Sequence, residues 1–361
     1  MPWCCWCRPP VPDFPADPTL DLPFAHGGPA LSGVLRASPE DFVVEEQLGY
    51  AASGEGEHAF LQVRKRGLNT ADVARELARF AGVRQVNVGF AGLKDRHALT
   101  TQYFSVHLPG KPDPDWQALN SEQLQIVSAQ RHNRKIRRGS LQGNRFELTL
   151  RQLQGGREQA EQQLLTIAAE GVPNYFGAQR FGREASNLQR AAALFAGQGR
   201  RPKPEQLRMI VSAARSYLFN RVLAARVSDG SWNRALPGDV MLLAGSNRQF
   251  AVEQLDAEIE RRLAEHDIHP SGPLPGADSR SLKPQAEALR IEQQALSDEL
   301  AQAWIEGLAK RRVDADRRAL RMAPGDFSYD WPDRQTLRLS FTLTSGAFAT
   351  SLVRELLSTA S

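Results

Sequence analysis

The 361-residue sequence has few cysteines and no long apolar run. Its three cysteines, Cys4, Cys5 and Cys7, all lie near the N-terminus, so no disulfide can join distant parts of the fold. Such cysteine usage is typical of a reducing compartment, and we expect a cytoplasmic protein. No segment approaches the roughly 20 apolar residues that a membrane-spanning helix needs, and the first residues lack a secretory signal. The sequence therefore predicts no membrane association.

Ligand sets for a metal ion are also missing from the sequence. The cysteines have no second ligand cluster with the spacing of a zinc site, and we interpret residues 1–29 as a flexible tail. His266, Asp267 and His269 form a tight group, but they stand beside proline-rich sequence without further ligands. We therefore expect no metal.

Charge of one sign is only slightly in excess, because 45 lysines and arginines stand against 41 aspartates and glutamates. The informative feature is a local cluster, named here the basic patch, which consists of Arg131, Arg134, Lys135, Arg137 and Arg138. A short segment with so many cations is typical of a surface that binds nucleic-acid phosphates. A solvated hairpin that serves only solubility explains the pattern equally well. Both interpretations stay open at this point.

The two ends of the sequence favour strands, whereas the middle favours helices. Alternating or β-branched and aromatic sequence predicts strands at 85–91, 101–108, 146–151 and 337–343. Helical spacing or composition predicts helices at 69–83, 157–169, 186–195, 205–227, 252–265, 286–313 and 348–356. Separate strand-rich and helix-rich regions indicate an α+β protein. Because domain termini often lie close together, we infer that the two strand-rich ends form one domain. Its sheet-based domain, residues 30–154 and 318–361, is interrupted by a mainly helical insertion at 155–317.

Asp95 is a candidate for chemistry in the connection between the first two predicted strands. It lies among Lys94, Arg96 and His97, and nearby cations favour the ionised form of a carboxyl group. An ionised carboxylate can act as a nucleophile or as a base. From composition alone, a solvated turn of mixed charge is the simpler interpretation.

A second grouping in this region suggests different chemistry. Lys94, His97 and His107 could act as acid and base on a phosphodiester, as in metal-free RNA cleavage. The two histidines stand in a predicted loop and a predicted strand, so an exposed histidine and a strand histidine without joint function are the simpler interpretation.

A third segment, 172–182, interleaves aromatic and basic side chains. Tyr175, Phe176 and Phe181, together with Arg180, could stack on unpaired bases of an RNA. The same aromatic residues could instead pack in the core of the insertion. The spacing does not separate these two interpretations.

Five short segments follow one another in an order that is specific as a set. They are PEDFVVE at 39–45, FAGLKDRHA at 90–98, GNRF at 143–146, VPNYFGAQRFG at 172–182 and SGAFATSLVREL at 345–356. Together they resemble the TruD family of tRNA pseudouridine synthases, over residues 30–358. With this resemblance, Asp95 is interpreted as a functional residue rather than as part of a solvated turn.

The resemblance implies a pseudouridine synthase-type catalytic domain with a mixed, largely antiparallel sheet, interrupted by a family-specific insertion. It implies that a uridine in tRNA, at position 13 in bacterial members, is converted to pseudouridine without a cofactor. By matching positions, Asp95 is the catalytic aspartate, and Phe42 and Phe348 contact the uridine. Asn144 makes a polar substrate contact, and Phe146 stands where most other pseudouridine synthases have a tyrosine.

A carboxylate in a water-poor site needs a compensating cation to stay ionised. Arg36, which matches a basic position of the family, and Arg354 in the last predicted helix are the candidates. We expect tRNA to be the partner, contacted by the basic patch, Tyr175 and Arg180, and we expect a monomer that needs no protein partner. A noncatalytic RNA-binding protein on the same scaffold is the alternative function.

Overall fold

A computed structural model describes residues 13–198 and 202–359 of the chain. These residues form two compact units. The helical unit contains 13–28, Gln163–Ala323 and Thr350–Glu355, and the sheet unit contains Pro29–Gln162, Pro324–Ala349 and 356–359. The divisions at 162/163 and 323/324 fall a few residues after those predicted from the sequence. Residues Thr350–Glu355, which were predicted as part of the sheet-based domain, belong to the helical unit instead. The three cysteines, and the predictions made for them, lie outside the described residues.

The chain passes from one unit to the other several times. The strands are β1 (Leu31–Leu35), β2 (Phe42–Gln47), β3 (His58–Arg66), β4 (Val88–Phe90), β5 (Leu99–His107), β6 (Leu124–His132), β7 (Gly143–Gly155), β8 (Val172–Pro173), β9 (Val240–Leu243), β10 (Gln249–Ala251), β11 (Ile268–Leu274), β12 (Asp316–Ala319), β13 (Arg321–Met322), β14 (Gly325–Asp333), β15 (Thr336–Thr344) and β16 (Leu357–Thr359). The helices are α1 (Thr70–Phe80), α2 (Arg157–Glu170), α3 (Ser186–Phe195), α4 (Pro204–Ser228), α5 (Ala257–Ala264), α6 (Ala286–Ala295), α7 (Glu299–Lys310) and α8 (Ala349–Leu356).

The sheet unit is built on one large sheet with the strand order β14-β15-β7-β2-β5-β3-β6. Strand β1 pairs with β7 and β16, and β4 pairs with β5. The β2/β5 and β1/β16 pairs are parallel, whereas the other pairs of this sheet are antiparallel. The predicted α+β class with a mixed, largely antiparallel sheet is therefore confirmed.

Strands β7 and β15 pair in the sheet, and in both of them apolar and polar residues alternate. Phe146, Leu148 and Leu150 of β7 are buried, and their register partners on β15 are Phe341, Leu339 and Leu337, which are buried too. Successive side chains of a strand point to opposite faces, so each strand gives one apolar face to the core. The two strands predicted from this pattern are confirmed, and both are longer than predicted.

Helix α1 packs its apolar stripe against β3, β5 and β6. Val73 and Leu77 are completely buried in the same cluster as residues of all three strands. The helix ends at Phe80, three residues before the predicted end, because the next residues form a Schellman cap. In this cap Gly82 has a φ of 61° and donates to Arg79, and Val83 donates back to Ala78.

Three further predicted elements were too long. Of the strand at 85–91 only β4 forms, after a 3₁₀ turn at Gln85–Asn87. The helix at 252–265 begins only at α5, where the side chain of Asp256 caps it by accepting from the N–H of Ile259. The helix at 286–313 is divided into α6 and α7, because Asp298 caps a new helix start in the middle.

The helical unit surrounds a small sheet of order β10-β9-β11-β12, and β8 pairs with β13. Part of the segment predicted as a flexible tail packs in this unit. Phe14 is 7 % exposed and its ring lies against Tyr217 and Trp304, with centroid distances of 5.6 and 5.9 Å. Burial of this large ring orders the described part of the segment. Within 13–198 and 202–359, no helix is long and apolar enough to cross a membrane.

Candidate active site

Asp95 stands in the connection between β4 and β5, residues 91–98, named here the Asp95 loop. Buried polar side chains of the sheet unit hold the backbone of this loop. The N–H of Lys94 donates to the hydroxyl of Thr70 at 2.9 Å, and the amide of Gln102 donates to the carbonyl oxygen of Gly92 at 3.3 Å. The Thr70 hydroxyl in turn donates to Gln102 at 2.8 Å. The loop is therefore preorganised and not a solvated turn.

The carboxylate of Asp95 pairs with the guanidinium of Arg36, as one of the two candidate cations was predicted to do. Nη1 of Arg36 lies 3.0 Å from Oδ2 of Asp95, and the two side chains are 23 % and 25 % exposed. The other carboxylate oxygen accepts from the N–H of His97 at 2.9 Å. The guanidinium carbon of Arg36 also lies 4.0 Å from the centroid of the Phe42 ring. One cation thus connects the carboxylate to an aromatic face.

Arg36 has an unusual backbone conformation at the end of β1. Its φ of 66° lies in the left-handed region, which residues other than glycine rarely adopt. Such conformations persist where the surrounding structure imposes them, and they are concentrated at functional sites.

Lys65 is a buried cation beneath the Asp95 loop. It is 1 % exposed, and its ammonium donates to the backbone carbonyl oxygens of Leu68, at 2.8 Å, and Asp95, at 3.1 Å. Burial lowers the pKa of Lys65 to about 8, although the negative charge of Asp95 opposes this shift. The ammonium fastens the loop directly at the residue that carries the carboxylate.

Replacing Lys65 by methionine is expected to change how stability depends on pH. In the native chain, the folded state releases the Lys65 proton near pH 8, whereas the unfolded state keeps it until about pH 10.5. The unfolded state binds more protons between these values, so the free energy of unfolding should rise with pH, by about 3 kcal/mol from this group. Urea unfolding at pH 7 and pH 10 measures this, and Lys65→Met should lack the rise. Equal pH dependence in both chains would contradict the assignment.

Lys94 and Glu46 form a second buried ion pair next to the loop. Nζ of Lys94 lies 2.6 Å from Oε2 of Glu46, and the side chains are 6 % and 0 % exposed. The other oxygen of Glu46 accepts from the N–H of Tyr103 at 3.2 Å. Lys94 is therefore committed to the structure of the loop, and its ammonium is not a free acid or base.

Aromatic rings lie beside the Arg36–Asp95 pair on the sheet. The ring of Phe42 meets Phe146 edge-on at 6.3 Å, and Phe146 stacks on Phe341 at 5.4 Å. Phe42 and Phe146 are 4 % and 6 % exposed. Phe146 was expected among the substrate-binding residues, but its ring supports Phe42 and belongs to the core.

Asn144 follows the same face of the sheet, two residues before Phe146. It stands opposite Glu46 of β2 and Leu343 of β15. Its amide oxygen is buried and has no hydrogen-bond partner among the residues that the structure describes. Since buried polar atoms are nearly always paired, this oxygen is suited to accept from an N–H of a ligand.

Phe348 is half-buried in the connection that leaves β15. The N–H of Ser345 donates to the carbonyl oxygen of Gln142 at 3.1 Å and so fixes the start of this connection. The contact of Phe348 with the substrate stays a prediction.

Two predicted site residues have partners inside the helical unit. Arg354 donates to the carbonyl oxygens of Leu22 and Pro23, and its guanidinium lies 3.9 Å from the Phe24 ring. Of the two candidate cations, Arg36 is the one that pairs with Asp95. Tyr175 is 3 % exposed and burial raises its pKa, which corrects the expectation that its ring stacks on RNA.

The remaining members of the 172–182 segment pack in the same way. Phe176 and Phe181 are 6 % and 0 % exposed. Arg180 donates to the hydroxyl of Ser212 at 3.0 Å, and its guanidinium lies 5.2 Å from the Phe176 ring. The core interpretation of these aromatic residues is therefore the correct one.

The basic patch contains cations of two kinds. Arg131 pairs with Asp113 at 2.7 Å, and Lys135 donates to the carbonyl oxygen of Val86. Arg134 and Arg137 are exposed and have no carboxylate partner in the described part of the chain. The guanidinium of Arg138, also exposed, lies over the ring of Phe90.

A pocket of about 350 Å³ opens within the basic patch. It is lined by Tyr50, Arg134, Lys135, Arg137 and Ser140. Backbone hydrogen bonds fix the loop that carries these cations: the N–H of Ile136 donates to the hydroxyl of Ser105 at 2.9 Å, and the N–H of Gly139 donates to Ala91 at 2.8 Å. The second bond joins the segment that carries these cations to Ala91, the first residue of the Asp95 loop.

The histidines do not form a joint acid and base. His97 precedes β5, whereas His107 ends it and stacks on His58 at 4.6 Å. A nine-residue strand separates them by roughly 30 Å at about 3.3 Å per residue. The grouping of these histidines with Lys94 for RNA cleavage is therefore wrong.

The His266 group has partners of its own. His266 lies 3.0 Å from the carbonyl oxygen of Ala169, and Asp267 pairs with Arg262 at 2.6 Å. His269 accepts from Arg321, and burial lowers its pKa to about 3. Across residues 13–198 and 202–359, no group of three or more His, Cys, Asp and Glu side chains could hold a metal ion.

Sequence reasoning missed Lys65 and Glu46. The pattern contained a signal for Glu46, because it stands in register with Phe42 and Val44 on the inward face of β2. A charged residue in that position must have a buried partner. Lys65 is likewise a charged residue at a buried position, in strand β3.

Comparison with known proteins gives one consistent family. The model of tRNA pseudouridine synthase D (TruD) matches residues 23–198 and 195–356. The chain is 49 % identical to tRNA pseudouridine synthase D of Xanthomonas euvesicatoria pv. vesicatoria over 93 % of its length and 94 % of the relative's. It is 48 % identical to the protein of that name from Methylococcus capsulatus, with the same coverage. Its fold is similar to a Methanosarcina mazei crystal structure solved as a putative TruD, with a TM-score of 0.69, 24 % identity and coverage of 92 % and 95 %.

Proposed function

The chain belongs to the TruD family of tRNA pseudouridine synthases, and we propose that Asp95 is the catalytic carboxylate with which it converts a uridine of tRNA to pseudouridine. One observation carries this assignment: the Asp95 carboxylate is paired with Arg36, next to Phe42, on a loop held from below by buried polar groups. A solvated surface aspartate would have none of these supports.

The reaction needs a charged group, an aromatic surface and a means to retain the base. The bond from C1′ to N1 of uracil breaks, the base turns, and C5 bonds to C1′. C5 then loses its proton, and N1 takes up one proton in exchange. The product is an isomer of the substrate, so no electrons are gained or lost. Asp95 supplies the carboxylate, as a nucleophile or as a base, and Arg36 holds it in place.

The uracil is held by its face and its edge. We assign the face contact to Phe348, which is half-buried, and the edge contact to Asn144, whose unpaired amide oxygen matches the N3–H donor of uracil. Phe42 is only 4 % exposed, and the Arg36 guanidinium lies over its ring. We therefore assign Phe42 to positioning that cation, in place of the uridine contact expected from the resemblance. A base within folded RNA must first leave its stack, which costs a few kcal/mol, and contacts of this kind compensate.

The assay that tests the function is release of tritium from tRNA labelled at C5 of uracil. Carbon 5 loses its hydrogen only when it becomes the glycosidic atom. We assign the target to position 13, so tRNA with cytidine at this position should release no tritium above background. A noncatalytic RNA-binding protein would bind both tRNAs and release tritium from neither.

The exposed cations of the basic patch are assigned to RNA phosphates. Replacing Arg134 and Arg137 by alanine should weaken tRNA binding ~10-fold. With fewer phosphate contacts, binding releases fewer counterions from the RNA. The plot of log affinity against log salt should become shallower by about 1 to 2. Filter binding between 50 and 200 mM salt measures both effects.

Arg131→Ala provides the matched control within the same patch. Its guanidinium is already paired with Asp113, so we expect an unchanged salt slope. If both variants leave the slope of the native chain unaltered, the patch is a solvated surface.

A further inference from the structure

Leu93 is an exposed leucine in the Asp95 loop, two residues before the carboxylate. Its side chain is 69 % exposed, although leucine is among the residues most often buried. We propose that Leu93 enters the base stack of the RNA and takes the place of the target uridine while that nucleotide is turned out toward Asp95. This inference rests on the proposed function, because it requires RNA as the substrate.

The exposure of Leu93 is imposed by the fold. Hydrogen bonds hold the carbonyl groups of Ala91 and Gly92 before it and the N–H of Lys94 after it. Ala91 is buried in an apolar cluster that also includes Leu48, Phe60 and Ile136. Apolar cover is thus available next to Leu93, but the fixed backbone keeps this leucine outside it.

The size and chemistry of leucine fit the gap that an everted nucleotide leaves. Successive bases of a strand lie about 3.4 Å apart, and proteins that open base steps insert Leu, Phe, Ile, Met or Pro between them. The volume of an isobutyl group prevents the flanking bases from closing the gap. Because this group is apolar, it leaves no hydrogen-bond donor or acceptor unpaired between the base faces.

The place of Leu93 along the chain also fits. Two residues span at most about 7 Å between Cα atoms, so Leu93 stays close to Asp95. The group that fills the stack and the group that acts on the everted nucleotide therefore move as one rigid loop. The other exposed side chains of the loop, Arg96 and His97, are polar, and Arg96 donates to the carbonyl oxygen of Gly67 at 3.0 Å.

The test compares Leu93→Ala with Val86→Ala on two substrates. Val86 is an exposed apolar residue of the same unit, at 65 % exposure, but it lies outside the Asp95 loop. The substrates are intact tRNA and a short single-stranded RNA in which the target uridine is already unstacked. Single-turnover release of C5 tritium should be ~10- to 100-fold slower for Leu93→Ala on tRNA, because turning out the base is then unassisted.

On the single-stranded RNA, Leu93→Ala should differ from the native chain by less than about 3-fold. Val86→Ala should match the native chain on both substrates, and Leu93→Met should restore the rate on tRNA. An equal loss on both substrates, or no loss on tRNA, would overturn the proposal. If the native chain releases no tritium from tRNA, the proposed function itself fails, which is a different outcome.

A measurement without turnover decides the case in which single-stranded RNA is not a substrate. A tRNA with 2-aminopurine beside the target uridine is bound to Asp95→Asn and to the double variant Asp95→Asn/Leu93→Ala. Unstacking raises 2-aminopurine fluorescence, so the rise seen with Asp95→Asn should be lost in the double variant. Equal fluorescence in the two complexes would contradict the proposed role of Leu93.

Discussion

Asp95→Asn is expected to lower the rate of tritium release from C5-labelled tRNA by ~10³-fold or more. An amide has nearly the shape of the carboxylate and can still accept from the N–H of His97, so the loop should keep its conformation. It cannot attack a carbon or accept a proton, and it loses the ion pair with Arg36. The chemistry should therefore disappear while the fold remains.

Three measurements make this result specific to Asp95. Affinity for tRNA should stay within about 3-fold of the native value, and the urea midpoint should shift little, because the side chain is one quarter exposed. Asp72→Asn, an exposed aspartate on α1 paired with Arg75, should retain full tritium release. Substantial activity of Asp95→Asn on the same tRNA would remove the carboxylate from the mechanism.

Glu46→Ala is expected to lower the free energy of unfolding by about 3 to 5 kcal/mol. The carboxylate is completely buried, and its removal leaves the ammonium of Lys94 without its partner at 6 % exposure. The N–H of Tyr103 loses its acceptor as well. Urea unfolding at neutral pH measures the loss.

The double variant Glu46→Leu/Lys94→Met separates charge from volume. Apolar side chains of similar size remove both charges together, which is often neutral or stabilising for buried pairs. We therefore expect the double variant to be clearly more stable than Glu46→Ala. A loss below about 1 kcal/mol for Glu46→Ala would show that Lys94 finds another partner.

Much of the sheet could be predicted because its signal is local. Phe146, Leu148 and Leu150 alternate with polar residues, and this alternation alone specifies which face is buried. Helix ends were harder to predict. The break before α7 depends on Asp298 as a cap, and a cap inside a continuous helical composition is a weak signal next to many helix-favouring residues.

The site could be predicted only in part, for a reason of distance along the chain. Arg36 and Asp95 are 59 positions apart, and composition does not show that they meet. The resemblance to a family made Arg36 one of two candidate cations, and only the structure shows which of them pairs with Asp95. Lys65 and Glu46 take part through buried contacts with the loop. Strand periodicity can mark Glu46 as buried, but it does not show which residue pairs with it. Tyr175 was predicted to contact RNA but is buried, since a segment with aromatic and basic residues can pack in a core as readily as it binds RNA.

The left-handed backbone of Arg36 sets a limit on how this protein can be engineered. Glycine would relax that conformation and should make the folded state easier to form, but it has no guanidinium to place against the carboxylate. Arg36→Gly should therefore relieve the backbone while removing the cation that the proposed mechanism needs. The arginine holds its guanidinium against the carboxylate at some expense in stability, as is common where activity and robustness compete.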